Sequence, residues 1–438
     1  MTKKIPSFRE KLSIPGLLQT ARQIFKRISS VGKENDIPLV DHLMSGLALF
    51  GLKYPSLLQF DRDVRNDGPR AENLRTLYGV KKAPCDTHLR ERLDEMDPRE
   101  LRPLYKNLFK DLQRGKGLEG FNYLGDYYLL SVDGTGYFSS KKVHCKHCCE
   151  KRHRDGSITY YHQALAAVLV HPENKEVFPF PPEPILKQDG AKKNDCERNA
   201  SKRLLTDIRR EHPHLKLIVI EDGLASNAPH IRLLQTLDLR FILGAKVGDH
   251  RYLFDWVENT QGTETAEFVD EKGYHHRFRY HNGAPLNDAN SDLKVNFLEY
   301  WETTPNGRQQ HFSWVTDIPI NENNLMELMR AARARWKIEN ETFNTLKNQG
   351  YHFEHNFGHG DNQLSTVMMH LMMLTFLIDQ IQQRCCRVFQ AAQQKFHSKT
   401  RFWHEFRGRF DLYFIPNWET FYRSIIEQTA MELRYDSS

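Results

Sequence analysis

Apolar and polar positions change their period along this chain, and the changes divide it. Up to about residue 120 the period is helical. Asp41 to Leu52 spaces apolar residues three and four apart behind an acidic residue suited to a cap, which predicts a helix. Asn73 to Leu93 has a helix–turn–helix rhythm, with Gly79 ending one helix and Pro84 or Asp86 opening the next. From about 121 the runs are short and apolar: Tyr127–Tyr137 and His162–Val170 read as buried strands, and Glu176–Phe180 as a third. A helix over Cys196–Arg210, a strand over Leu215–Gly223, a helix over Ala228–Leu237 and a strand over Arg240–Ala245 follow. Three strands, a helix, then alternating strand and helix predict an α/β fold with a mixed sheet flanked by helices.

Residues 247–320 break that rhythm. His275–Tyr280, Lys294–Trp301 and Gln309–Asp317 are strand-like, and Pro305-Asn306-Gly307 is a hairpin signal. The expected organisation is a helical N-terminal domain (1–120), the first part of an α/β core (121–246), a β-rich insertion (247–320), the rest of the core (321–380) and a helical C-terminal region (381–438). Val367–Ile378 is the most apolar run. It is too short to cross a bilayer and contains His370, so it predicts a buried core helix.

Two of the predicted strands end in Asp-Gly, at Asp133-Gly134 and Asp222-Gly223. Reactive groups collect at strand ends in open α/β sheets, and glycine lets the backbone turn sharply there. Either aspartate alone reads equally as a turn residue. Glu221 competes with Asp222, but strand alternation sends the neighbours to opposite faces, and the repeated Asp-Gly context favours Asp222. Arg333–Lys347 has strong helix formers and neither Gly nor Pro. At roughly 100° per residue, Arg335, Glu339, Phe343 and Leu346 share a face, with Lys347 about 80° to one side of Glu339. A carboxylate flanked by a guanidinium and an ammonium suits a phosphate-and-metal site; the alternative is a solvated helix with ordinary ion pairs. Asp133, Asp222 and Glu339 are separated by 222 − 133 = 89 and 339 − 222 = 117 residues. Two aspartates from strands and a helical glutamate are the hard oxygen ligands of a two-metal phosphoryl-transfer site, with Mg²⁺ as the natural cofactor and Mn²⁺ as its substitute.

With those residues in place, the chain resembles the DDE transposases of bacterial insertion sequences, in particular the cut-and-paste group with a β-strand insertion and a Tyr-Arg-Glu-Lys signature. Arg335-Trp336-Lys337-Ile338-Glu339 matches the Arg-Trp-x-Ile-Glu core of that signature, and Asp133-Gly134 and Asp222-Gly223 match the first and second Asp motifs. Phe241–Lys246 matches the strand after the second motif, and the resemblance covers roughly residues 121–380. It implies an RNase H-like catalytic core, Mg²⁺ on Asp133, Asp222 and Glu339, and DNA or phosphate contacts from Arg335, Trp336 and Lys347. The signature Tyr is Ala332 here, and the position seven after the Glu is Leu346, with Lys347 one later; Glu341 is the substitute glutamate. The implied function is a DNA transposase that binds terminal inverted repeats, cleaves the strands and joins them to target DNA, acting as a homodimer in the DNA complex. The alternatives are an RNase H-like nuclease without strand transfer and a non-catalytic DNA-binding descendant.

Other features bear on that expectation. Arg90 and Arg92, on the second helix of the helix–turn–helix pattern, are candidate DNA contacts; the alternative is a helical hairpin with solvated charges. An aromatic of the insertion, Trp301 or Trp314, is a candidate for stacking on a displaced base, against the commoner role of core residue. Cys145-x-x-Cys148, with His144, His147 and His153 nearby, has zinc-ligand chemistry, but no second Cys-x-x-Cys closes the set; the alternative is a basic loop. His355 and His359 are four apart like a metal pair, though Gly358 and Gly360 predict a loop. Lys187–Arg203 opens a helix with basic residues that either face DNA or are solvated. The tail from Gln382 is basic and aromatic and reads as DNA or dimer contacts or as a terminal helical layer. A net charge of +6 permits a polyanionic partner. The first ten residues carry no apolar run after their basic residues, so no signal peptide is expected. Seven cysteines, an odd number with several adjacent, do not make a secreted disulfide frame, and a cytoplasmic protein without a membrane partner is expected.

Overall fold

The computed structural model describes residues 7–28, 37–65, 68–187 and 194–428. Its N-terminal part is helical: α1 (Ile14–Phe25), α2 (Leu39–Gly51), α3 (Leu57–Arg65), α4 (Pro69–Asn73), α5 (Asp86–Asp94) and α6 (Arg102–Arg114). α1 buries Leu17, Leu18, Ala21, Ile24 and Phe25, the stripe that three-and-four spacing dictates. Asp41 does not cap α2, which starts two residues earlier. Its buried carboxylate instead accepts from Arg22 (3.2 Å) and from the backbone N–H groups of Lys81 and Lys82 (3.2 and 3.3 Å), so it ties three segments together. α4 runs into a π-helical turn, Leu74–Tyr78, which Gly79 ends at φ 68°, a left-handed position suited to glycine. α5 follows, giving the helix–turn–helix rhythm, and packs against the long core helix described below.

The strands are β1 (Asn122–Tyr123), β2 (Tyr127–Ser140), β3 (Cys149–Arg152), β4 (Ile158–Val170), β5 (Phe178–Pro179) and β6 (Glu183–Ile185). Then come α7 (Glu197–Glu211), β7 (Leu217–Glu221), α8 (Ala228–Thr236), β8 (Arg240–Gly244) and α9 (Arg251–Asn259). β9 (Glu264–Val269), β10 (His275–Pro285), β11 (Lys294–Thr303) and β12 (Gln309–Thr316) complete a single mixed sheet in the order β3-β4-β2-β7-β8-β12-β11-β10-β9. β2, β7 and β8 are parallel and the other neighbours along this path are antiparallel. Every residue of β7 is buried, as a central parallel strand covered on both faces requires. The strands of 264–316 continue the core sheet through β12, which pairs with β8. Gly307, at φ 79°, turns the chain between β11 and β12 where Pro305-Asn306-Gly307 predicted a hairpin.

The remaining helices are α10 (Leu325–Arg333), α11 (Asn344–Asn348), α12 (Leu364–Cys385), α13 (Arg387–Gln393), α14 (Lys399–Leu412) and α15 (Trp418–Glu427), with a second π-helical segment, Ile338–Phe343, between α10 and α11. α12 is long and apolar enough to cross a membrane, but 94% of its apolar window is buried inside the protein, as a core helix requires. The aromatic tail is a packed helical layer burying Phe402, Trp403, Phe406 and Phe410. It docks on the N-terminal helices: Asn73 Nδ2 donates to the carbonyls of Phe410 and Tyr413 (both 2.7 Å), and Trp418 Nε1 donates to the carbonyl of Leu77 (2.9 Å). At the centre, Lys53 Nζ donates to Asp379 Oδ2 of α12 (2.7 Å), which also accepts from Tyr351 Oη (2.5 Å). Of the basic stretch before α7, residues 188–193 lie outside the described residues.

Candidate active site

β2 and β7 pair in parallel from Tyr128↔Leu217 to Ser131↔Ile220, an offset of 217 − 128 = 89 residues. That is also the separation of Asp133 and Asp222. Carried two residues past Ser131↔Ile220, that register leads to Asp133 of β2 and to Asp222, the residue after β7, and the charge of Asp222 acts on Asp133. Asp133 does not end its strand. β2 continues to Ser140 on β4 alone, with Asp133 opposite Ala166. Neither Gly134 nor Gly223 has a positive φ; Gly134 continues the strand, while Gly223 lies in a tight turn in which Ala225 N donates to the carbonyl of Asp222 (3.1 Å). A Cβ on Gly134 would sit 2.3 Å from the Glu197 carboxylate, which would have to swing away; a Cβ on Gly223 would meet only ordinary contacts, the nearest at 3.6 Å, whereas a Cβ on Gly244 of β8 would lie 3.0 Å from Gly223 N. Asp222 follows the last residue of β7, and its Oδ1 accepts from the N–H of Leu224 (3.0 Å), an Asx turn. Glu221 points the other way, buried, 2.5 Å from His230 Nε2. Burial pulls His230 down, but the Glu221 carboxylate outweighs it and raises the imidazole above its ordinary pKa.

Glu339 lies in the π-helical segment Ile338–Phe343, not in an α-helix running from Arg333 to Lys347. α10 stops at Arg333, a tight turn follows, and the wider π turn inserts extra backbone at the glutamate. The predicted shared face therefore splits. Phe343 and Leu346 enter the core, while Arg335 and Glu339 remain partly exposed. Lys347 pairs with Glu354 (3.1 Å). Arg335 Nη1 donates to Asp133 Oδ2 (3.1 Å), and its carbonyl accepts from Ser131 Oγ (3.0 Å), which anchors the turn on β2.

The charges of Asp222 and Glu339 both act on Asp133. Burial pushes the Asp133 carboxyl up; Arg335 and the N–H of Gly134 pull it down; the charges of Asp222 and Glu339 push it up again, and the balance is above the ordinary value. Glu341, by contrast, acts on Lys337 and Lys399. A fourth carboxylate, missed in the sequence, is Glu197 at the start of α7. Partial burial and the charges of Asp133, Asp222 and Glu221 raise its pKa. An acid in a first helical turn reads as an ordinary complement to the helix dipole, so no sequence signal marked it.

An open groove of about 1220 Å³ runs from Asp222 past Lys246, His311, Trp314, Arg333, Arg335 and Trp336. Trp336 is 51% exposed and carries the Arg335 guanidinium 4.4 Å over its ring. Trp314 is buried. Trp301 sits between its cross-strand neighbours, with the Arg277 guanidinium 4.2 Å over its ring and the His311 ring stacked 5.0 Å away. In α5, Arg90 pairs with Asp86 (2.7 Å) and its stem lies against Gly358, while Arg92 reaches Glu95 (3.4 Å).

No family model matches the chain, and no curated protein matches it. Among solved structures it is similar to a piggyBac transposase synaptic complex with hairpin DNA, determined by cryo-EM, with a TM-score of 0.42 and 12% identity over 98% of this chain and 86% of that one. A likeness of that degree leaves the functional reading to the site itself.

Proposed function

We propose that this protein is a DDE transposase that binds the terminal inverted repeats of an insertion sequence, cleaves DNA and transfers the strand to a target. The observation that carries the reading is the shared register of Asp133 and Asp222, with the charge of Glu339 directed at Asp133 from the π turn. The resemblance in sequence adds the RNase H-like core and the homodimeric DNA complex.

The donors fit a hard divalent cation. Three partly exposed carboxylates, two of which act on the charge of Asp133, need a positive charge among them, and the Arg335 guanidinium on Asp133 supplies part of it. Asp133, Asp222 and Glu339 would hold Mg²⁺ or Mn²⁺, which when bound activates the attacking oxygen and stabilises the leaving one. The chain's own groups do the rest. Arg335, exchanging Asp133 for a phosphate oxygen, would fix the scissile phosphate with its planar donor fork. Lys246 and Arg333 would hold the backbone along the groove, and exposed Trp336 would stack on an unpaired base. Lys347, paired with Glu354, would contact phosphate only by exchanging that partner.

The test mixes purified protein with a plasmid carrying the gene and its flanking DNA in Mg²⁺ or Mn²⁺, beside Asp133→Ala, Asp222→Asn and Glu339→Gln. Cation-dependent breaks at the element ends, absent from all three variants, and joined products in a target plasmid are expected. Breaks without joining would reduce the reading to a nuclease. Breaks that persist in the variants would refute the assignment of the carboxylates.

A further inference from the structure

Among the described residues one group of metal-ligating side chains has all its ligand atoms within 4.8 Å of one another, and it is not the carboxylate site. Cys145 and Cys148 lie in the turn between β2 and β3, His162 in β4, and His359 in the loop between α11 and α12. All four are buried. The sulfurs are 3.9 Å apart, His162 Nε2 is 3.4 Å from each, and His359 Nε2 is 3.2 Å from Cys148 Sγ. A tetrahedral ion with Zn–S of about 2.3 Å and Zn–N of about 2.0–2.1 Å requires S···S near 3.8 Å and S···N near 3.5 Å. We propose that Cys145, Cys148, His162 and His359 form a structural Zn²⁺ site that pins the loop after the Glu339 segment to the β2–β4 hairpin.

The surroundings support a metal over a reduced thiol pair. The N–H of Cys145 donates to Cys148 Sγ (3.4 Å), which fixes the turn that presents both sulfurs. Both imidazoles turn Nε2 towards the sulfurs, and neither Nδ1 has a protein partner. The rings are oriented by stacking instead: Tyr137 lies 5.6 Å from His162 and Phe138 lies 4.3 Å from His359. Two sulfurs and two imidazole nitrogens favour zinc over magnesium or calcium, and four protein ligands leave no open position, which makes the site structural. The sequence hid it because the second ligand pair is not a motif. His162 sits inside an apolar strand and His359 is 359 − 162 = 197 residues further on. His144 and His153 are engaged elsewhere, on Tyr160 and Thr159, and His355 packs on Phe357.

The position matters to the fold. His162 is opposite Phe138, five residues along β2 from Asp133, so roughly 16 Å separates the two sites along the strand. His359 follows Glu339 by 20 residues, through the rest of the π-helical segment, α11 and an irregular loop from residue 349. A zinc clip there fixes the chain leaving the glutamate to the turn that follows β2 and to β4, which pairs with β2 opposite Asp133. The inference does not rest on the transposase reading.

The test is the metal content of the full-length protein, by mass spectrometry after dialysis, together with Co²⁺ substitution of the metal-stripped chain. About one zinc per chain is expected, retained in Asp133→Ala and Glu339→Gln and lost in Cys148→Ser and His359→Gln. Co²⁺ should give tetrahedral ligand-field bands with thiolate charge transfer, a readout that needs no folded variant and no activity. Absence of zinc with no tetrahedral Co²⁺ spectrum, a Cys145–Cys148 disulfide in the purified protein, or zinc that persists in both ligand variants would each overturn the proposal.

Discussion

Gly244→Ala tests the site without touching a functional group. An ideal Cβ at Gly244 would lie 3.0 Å from Gly223 N, 3.3 Å from the carbonyl carbon of Asp222 and 3.5 Å from Gly223 Cα. Unstrained contacts begin at about 3.5 Å, so the Asp222–Gly223 peptide must retreat by about 0.5 Å. That peptide is a rigid plane attached to the aspartate, whose carboxylate is tied to the N–H of Leu224, so the displacement passes to Asp222. Displacements of about 1 Å cost roughly 100-fold in rate, so about 0.5 Å should cost about tenfold, or about 1.4 kcal/mol. Stability should change by a similar amount: about 1–3 kcal/mol of overpacking is offset only in part by about 0.4–1 kcal/mol from removing glycine's freedom in the unfolded chain. The assay is single-turnover plasmid cleavage in Mg²⁺, with thermal unfolding alongside. Gly248→Ala is the control, since nothing lies within 4 Å of its Cβ. Cleavage by Gly244→Ala at the wild-type rate, with Asp222→Ala inactive, would refute the idea that the Gly223–Gly244 contact positions Asp222.

Three further outcomes follow from the geometry. Arg335→Ala removes a charge that lowers the Asp133 pKa, so that carboxyl rises further above its ordinary value; the acid limb of the cleavage–pH profile should move to higher pH, and an unchanged or lower limb would contradict the pairing. Asp379→Ala leaves the Lys53 ammonium buried without its partner, where burial already lowers its pKa; a loss of about 3–5 kcal/mol in urea unfolding is expected, and a loss below about 1 kcal/mol would show the pair to be dispensable. Trp336→Ala should leave stability within about 0.5 kcal/mol and weaken single-stranded DNA binding, read by fluorescence anisotropy, by about 1–3 kcal/mol; unchanged binding would exclude stacking at this ring.

What the sequence shows of this molecule depends on how local each determinant is. β4 and β7 announce themselves as continuous apolar runs because both their faces are covered, and α12 does the same as a helix. The spacing of Asp133 and Asp222 was visible as a number, but its meaning as a strand register needed the pairing of β2 with β7. β2 runs past Asp133 because Gly134 and Gly136, which look like a turn, are tolerated within a strand backed by β4. β9 left no trace: it is an edge strand with mostly exposed positions, and Glu264, Thr265 and Glu267 give it no apolar period. The π turn at Glu339 contains no residue that an α-helix would exclude, so composition cannot separate the two. Asn73, which holds the C-terminal helices to the N-terminal ones across more than 300 residues, is an ordinary polar residue in the sequence.

The joining of β12 to β8 gives the molecule a measure of length. Five strand-to-strand steps lead from β7, beside Asp222, through β8, β12, β11 and β10 to β9. At about 4.8 Å per step they span at most ~24 Å, less whatever the twist of the sheet takes back. A DNA duplex advances about 3.4 Å per base pair, so that reach corresponds to roughly seven base pairs. Because all these strands share one hydrogen-bonded sheet, a duplex lying across them and gripped at the outer edge would meet the carboxylates at a fixed distance from that grip. The sheet would then act as a ruler, and lengthening or shortening it by a hairpin would move the cut by a countable number of base pairs.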